Sequence, residues 1–118
     1  MPHLILEHTT NLSNFDSTAA LGQLNQSLIE TGEFNEADIK SRAIPLTQFL
    51  IGTEATQRAF IHLKLYILSG RSAALKKQLS TQLLATLSQI FNAHKNIETQ
   101  LCVEVIDIDR DSYSKVVI

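Results

Sequence analysis

Residues 58–68 (RAFIHLKLYIL) alternate without a break. Ala59, Ile61, Leu63, Leu65 and Ile67 point one way, and Phe60, His62, Lys64, Tyr66 and Leu68 the other. Period-two alternation of this length predicts a strand with one face in a core. The apolar run after Met1, Pro-His-Leu-Ile-Leu-Glu, predicts a first strand, and residues 99–107 (TQLCVEVID) a last one. Residues 39–49 fit a further strand, with Pro45 inside it. Proline donates nothing to a ladder, so that strand belongs at an edge or carries a bulge. Residues 116–118 offer a short additional edge piece.

Two stretches carry helical spacing instead. Leu21, Leu24 and Leu28 recur at +3 and +4, which predicts a helix over 16–31. Asp16 or Ser13 caps its start, and Gly32 stands at its C′ position. Leu75, Leu79, Leu83, Leu87, Ile90 and Phe91 form the stripe of a second helix over roughly 72–94, with Ser72 as N-cap. His94 falls near its end, where a positive charge suits the helix dipole.

The order strand, helix, strand occurs twice, each time over about half of the chain. The expected fold class is therefore α/β, a duplicated β-α-β unit. Its crossovers are long enough to make each strand pair parallel, in a four-stranded, mainly parallel sheet. Two helices cover only one face of such a sheet. The other face carries Phe60, His62, Lys64, Tyr66, Cys102 and Glu104, with Lys64 or His62 able to pair with Glu104. That mixture of apolar and charged groups suits a subunit interface, the alternative being a half-wet sheet face.

Composition narrows the function classes. At 118 residues the length prior gives a single domain, 1–118. Ten basic and twelve acidic residues leave a formal charge of −2, not the balance of a nucleic-acid binder. No apolar run approaches the roughly 20 residues of a membrane span, and MPHLILEHTT lacks the basic n-region and cleavage site of a signal peptide. The single cysteine, Cys102, forms no internal disulfide, in keeping with a reducing, cytoplasmic setting. No two of His3, His8, His62 and His94 share a metal-type spacing, so no metal site is expected. The carboxylates of Asp107, Asp109 and Asp111 lack the glycine and terminal Glu of a calcium loop.

The candidate chemistry lies at Pro2 and at three cations. An initiator methionine is normally removed before a small residue such as proline. Pro2 would then present a secondary amine at the tip of a buried strand, where burial and nearby cations lower its pKa and ready it to take a proton. Lys40 and Arg42 open the second predicted strand. Arg71 lies in the turn before the second helix, whose N-terminus also favours an anion. Its charge opposes the helix dipole, which argues for a role beyond helix stability.

The chain resembles the 5-carboxymethyl-2-hydroxymuconate Δ-isomerase family of the tautomerase superfamily. The matching residues are Pro2-His3 with Glu7, Thr31-Gly32 with Phe34, Ser41-Arg42, Ala59-Phe60 with His62 and Leu65, Gly70-Arg71-Ser72, and Leu101 with Glu104. They follow the family order over about residues 2–107. The resemblance implies a homotrimer joined through the open sheet face, no cofactor, and a free N-terminal Pro2 as acid/base. It implies an unsaturated 2-hydroxy or 2-oxo carboxylic acid as substrate and a role in aromatic-compound catabolism. Two substrate-binding arginines of the family fall on Lys40 and Arg71. Lys40 keeps the charge without the bidentate geometry, and Arg42 is the nearby substitute. Residues 109–118 replace the family's last segment. Two alternatives accompany this reading: a phenylpyruvate-type keto–enol tautomerase, and a non-catalytic trimeric binding module of the same fold. With Arg71 and Pro2 in one pocket, Arg71 is expected to depress the amine's pKa more than Lys40 does.

Overall fold

The alternation and the two leucine stripes become four strands and two helices in the computed structural model, which describes residues 1–55, 57–91 and 97–118. The elements are β1 (His3–Thr9), α1 (Ser17–Glu30), a 3-10 turn (Glu36–Asp38), β2 (Lys40–Leu46), β3 (Arg58–Leu68), α2 (Ala73–Phe91) and β4 (Glu98–Ile108). His94 and the expected last turn of the second helix lie outside the described residues.

The sheet order is β2-β1-β3-β4. Both β-α-β pairs are parallel, with His3 opposite Lys40 and Leu63 opposite Val103. The two halves join antiparallel through β1 and β3, where Leu6 faces Leu63. Pro45 sits on the edge strand β2, opposite His8, where a missing N–H is tolerated. β2 ends at Leu46, three residues before the expected end at Phe49. Residues 116–118 form no strand. With no neighbouring edge to pair with, Val116 and Val117 are exposed.

One face of the sheet is the core. Leu4, Leu6, Ile61, Leu63 and Leu65 are fully buried against Leu24 and Leu28 of α1 and Leu83 and Leu87 of α2. Between the helices the buried Ser27 is satisfied by Gln82 and Thr86. The cap at the start of α1 is Asp16, whose Oδ1 accepts from the Ala19 N–H at 3.0 Å. Asp16→Ala should lower stability by about 0.5–2 kcal/mol with the urea m-value unchanged, as a chemical denaturation midpoint will show. At the other end Gly32 takes φ +75°, and its N–H reaches the Ile29 carbonyl at 3.0 Å. Glycine adopts that left-handed geometry at little cost, and the chain turns there toward β2.

The second face has no helix over it. Here the structure pairs Lys64 with Glu7, at 2.9 Å, and not with Glu104. His62 takes Glu104, Nε2 to Oε1 at 2.8 Å. Both pairs are diagonal: Glu7 stands opposite His62 on β1 and Glu104 opposite Lys64 on β4, and each acid bonds the basic residue next on the same face of β3. The bond to Glu7 raises the Lys64 pKa.

Candidate active site

Four strand ends and one turn converge at a single end of the sheet. Pro2 is buried immediately before β1, and its carbonyl accepts the Lys40 N–H at the start of β2, at 3.1 Å. The parallel β1–β2 ladder thus fixes the N-terminus beside Lys40. The C-terminal ends of β3 and β4 arrive at the same end, because β3 runs antiparallel to β1 and parallel to β4.

A cavity of about 440 Å³ opens there, lined by Met1, Phe34, Ile67, Arg71, Tyr113 and Lys115 among others. Its floor is mixed, and its charges come in pairs. Arg71 Nη1 donates to Glu33 at 3.1 Å, and the guanidinium lies 5.4 Å from the centroid of the Phe34 ring. Both partners sit in the loop after α1, which the turn at Gly32 brings back over that end of the sheet. Arg71 itself is held by the turn between β3 and α2, where Gly70 has φ +110° and Ser72 Oγ caps α2 through the Leu75 N–H. The Lys115 ammonium bonds Asp38 at 2.6 Å, which raises the lysine pKa and lowers that of the carboxyl.

The four residues singled out from the sequence take different positions. Arg71 lines the cavity. Pro2 lies directly behind Met1, which also lines it. Lys40 stands beside the N-terminus but turns its Nζ onto the Asp38 carbonyl at 2.7 Å. Arg42 is two residues further along β2 and contributes to a separate hollow with His3, Ile5, Tyr66, Ile108 and Tyr113. Its Nη1 makes a long, 3.5 Å contact with His3 Nδ1. Arginine only donates, so His3 Nδ1 accepts and Nε2 carries the proton toward the Tyr113 hydroxyl, 3.1 Å away. Burial, then Lys40 and Arg42, lower the His3 pKa, in keeping with that neutral form.

The terminal amine is tuned in the same sense. With Met1 in place the Pro2 nitrogen is a tertiary amide, and the amine belongs to Met1. Its pKa is lowered, first by burial, then by Lys40 and more weakly by Lys115, against an opposing pull from Asp38. Arg71 is not among the cations that act on this amine. The ladder brings Lys40 next to the N-terminus.

Glu33, Asp38, Tyr113 and Lys115 had no role in the sequence reading. Phe34 entered it only as a family match. Tyr113 and Lys115 belong to a stretch without periodicity, and no local signal marks where it goes. Among the described residues, no group of three or more His, Cys, Asp or Glu is placed to hold a metal ion. Among them, too, no helix is long and apolar enough to cross a membrane.

Comparison with known proteins agrees with this architecture. A family model described as 5-carboxymethyl-2-hydroxymuconate isomerase matches residues 2–117. No curated protein matches the chain at a significant level. Among solved structures, a 5-carboxymethyl-2-hydroxymuconate isomerase from Deinococcus radiodurans R1 is 30% identical, with a TM-score of 0.90 over 98% of this chain and 88% of that one. A 5-carboxymethyl-2-hydroxymuconate delta-isomerase shares the fold at 19% identity and TM-score 0.85, over 99% of this chain and 88% of that one. So does a fused 4-OT symmetric trimer, at 16% identity and TM-score 0.76, over 97% and 91%. Agreement along nearly the whole chain, in sequence as well as in fold, means that this protein belongs to the 5-carboxymethyl-2-hydroxymuconate isomerase family and is an enzyme of the isomerase class.

Proposed function

We propose that the chain, as one tautomerase-like domain, moves a proton within an unsaturated 2-hydroxy or 2-oxo carboxylic acid resembling 5-carboxymethyl-2-hydroxymuconate, with Pro2 as acid/base once Met1 is removed. The observation that carries this reading is the placement of the N-terminus. A buried proline stands at the edge of a cavity that holds an arginine, in surroundings that lower the pKa of an amine. A neutral secondary amine there accepts the 2-hydroxyl proton of a dienol and returns it to a distant carbon. Arg71 has one N–H on Glu33 and, among the described residues, its remaining fork free for a substrate carboxylate or the developing enolate. Lys40 adds positive potential at the amine. Arg42, in the neighbouring hollow, is a candidate only for the far end of a long substrate. The chemistry requires no cofactor.

Membership of an isomerase family leaves no separate observation favouring the non-catalytic alternative. The test is conversion of a 2-hydroxymuconate-type dienol to its conjugated ketone, followed by ultraviolet absorbance, with protein whose intact mass shows Met1 removed. Phenylpyruvate enol in a parallel assay separates the two substrate classes. Turnover of both no faster than in buffer would overturn the reading. We place the enzyme in the cytoplasm, in catabolism of aromatic acids, on the strength of the family and of the free Cys102.

The same proposal includes a homotrimer. The support is the open sheet face, where Lys64, Glu7, His62 and Glu104 pair laterally and leave Phe60 and Tyr66 half-buried with no layer over them. Charges already paired within one chain are cheaper to desolvate than unpaired ones. Light scattering after size exclusion should give about three times the 13.1 kDa chain mass. A monomer at micromolar concentration would remove this part of the proposal.

A further inference from the structure

The residues after β4 take a defined path. Ser69, at the end of β3, donates its N–H to the Ile108 carbonyl at 2.8 Å and accepts the Arg110 N–H on its hydroxyl at 3.1 Å. Arg110 Nε returns a bond to the Ser69 carbonyl. The chain then reaches β1, where Tyr113 meets His3, edge to face with ring centroids 6.1 Å apart. It ends its crossing before β2, where Lys115 meets Asp38. In the sheet order β2-β1-β3-β4 these anchors follow one another from β4 across to β2. Residues 109–115 therefore form a strap over the end of the sheet that carries Pro2.

We infer that this strap completes the site, and that Lys115, not Lys40, is the second carboxylate-holding residue, sharing one cavity with Arg71. The inference rests on the reading of that cavity as the isomerase site. Lys40 occupies the position that family resemblance assigns to the task, yet its ammonium is engaged by a backbone carbonyl and it does not line the cavity. Lys115 does line it. Each lining cation already holds a carboxylate of its own chain, Arg71 that of Glu33 and Lys115 that of Asp38. Both cations remain reachable, with side chains 29% and 32% exposed. A ligand with a carboxylate at each end adds to these pairs, on the Arg71 N–H groups that Glu33 leaves free and on the remaining donors of the Lys115 ammonium. With no ligand bound, Glu33 and Asp38 balance the two cations. The terminal amine feels both lysines, Lys40 more strongly than Lys115, so what separates the two is that Lys115 lines the cavity and Lys40 does not. Met1 lines the same cavity as the two cations, so its removal enlarges the space they share.

The test uses two acids that share one six-carbon diene skeleton, trans,trans-muconate with two carboxylates and sorbate with one. Their Kd values are measured by calorimetry at fixed ionic strength on the full processed chain. Wild type should hold muconate about 10- to 100-fold more tightly than sorbate. Lys115→Ala should bring that ratio close to one while sorbate affinity stays within about twofold. Lys115→Arg should keep the preference, and so should Lys40→Ala and the exposed α2 control Lys77→Ala. Loss of the preference in Lys40→Ala with retention in Lys115→Ala would overturn the assignment. Sorbate binding that depends on Arg71, with no preference for muconate in wild type, would overturn it alone. Failure of wild type to bind either acid would overturn it together with the site reading on which it rests.

Discussion

Protein that keeps Met1 should be nearly inactive, with kcat/KM lower by about 10²–10⁴-fold. The proposed base exists only as a free amine. In the Met1–Pro2 amide the nitrogen lone pair is delocalised and takes no proton. Met1 also lines the cavity itself, so its retention blocks the substrate as well as the base. The two effects separate by pH. Processed enzyme should gain kcat/KM with rising pH as the amine deprotonates, with the acid limb below the ordinary α-amino value of about 7.7–8.0. The sign follows from position: burial and Lys40 lower the pKa of the Met1 amine, and Pro2, the next residue, is itself buried with its carbonyl on the Lys40 N–H, so the amine exposed by processing should meet the same two influences and stay neutral to lower pH. Retained-Met1 protein, made with methionine aminopeptidase inhibited during expression, should lack that limb altogether. Equal activity of the two forms at every pH would eliminate Pro2 as the base.

Arg71→Ala should lower kcat/KM through loss of a charge-assisted contact of roughly 1.5–3 kcal/mol, about 10- to 160-fold. A loss confined to KM would mean that Arg71 binds ground state and transition state alike. A loss in kcat would mean that it meets charge developing in the dienolate. The acid limb should hardly move in this variant. The cations that lower the pKa of the terminal amine at Met1 are Lys40 and, more weakly, Lys115. Lys40→Ala, by contrast, should shift the limb to higher pH, because removing a neighbouring cation makes the amine easier to protonate. The sequence reading expects the larger shift from Arg71→Ala, so the two variants measured side by side on processed enzyme decide between the two orders. Normal kcat/KM in Arg71→Ala would remove Arg71 from the site and leave the cavity without its main anion receptor.

The candidate site was legible only where chemistry follows from residue type and chain position. Proline next to an initiator methionine marks a candidate base. An arginine at a helix start works against the dipole and so draws notice. Arg42 looked equivalent to Lys40 because the two share a strand face. Two residues of rise nevertheless carry it away from that end of the sheet, opposite Ile5, and into another hollow. The acidic partners Glu33 and Asp38 lay in the polar loop TGEFNEAD, where any carboxylate reads as solvated.

What the sequence determines by itself is therefore the set of elements and their inward faces. The strict alternation of residues 58–68, the leucine stripes, the Asp16 cap and Gly32 are all short-range signals. Backbone geometry turns each of them directly into a strand, a helix or a stop. Even the odd composition of the open face follows, since alternation assigns Phe60, His62, Lys64 and Tyr66 to one side. Tertiary structure alone decides how the halves meet, antiparallel through β1 and β3, and thus which strand ends lie together at one end of the sheet. It alone lays the strap across that end and pairs Lys115 with Asp38, residues 77 positions apart. Contacts at that separation depend on where several strands end in space, and no window of periodicity spans them.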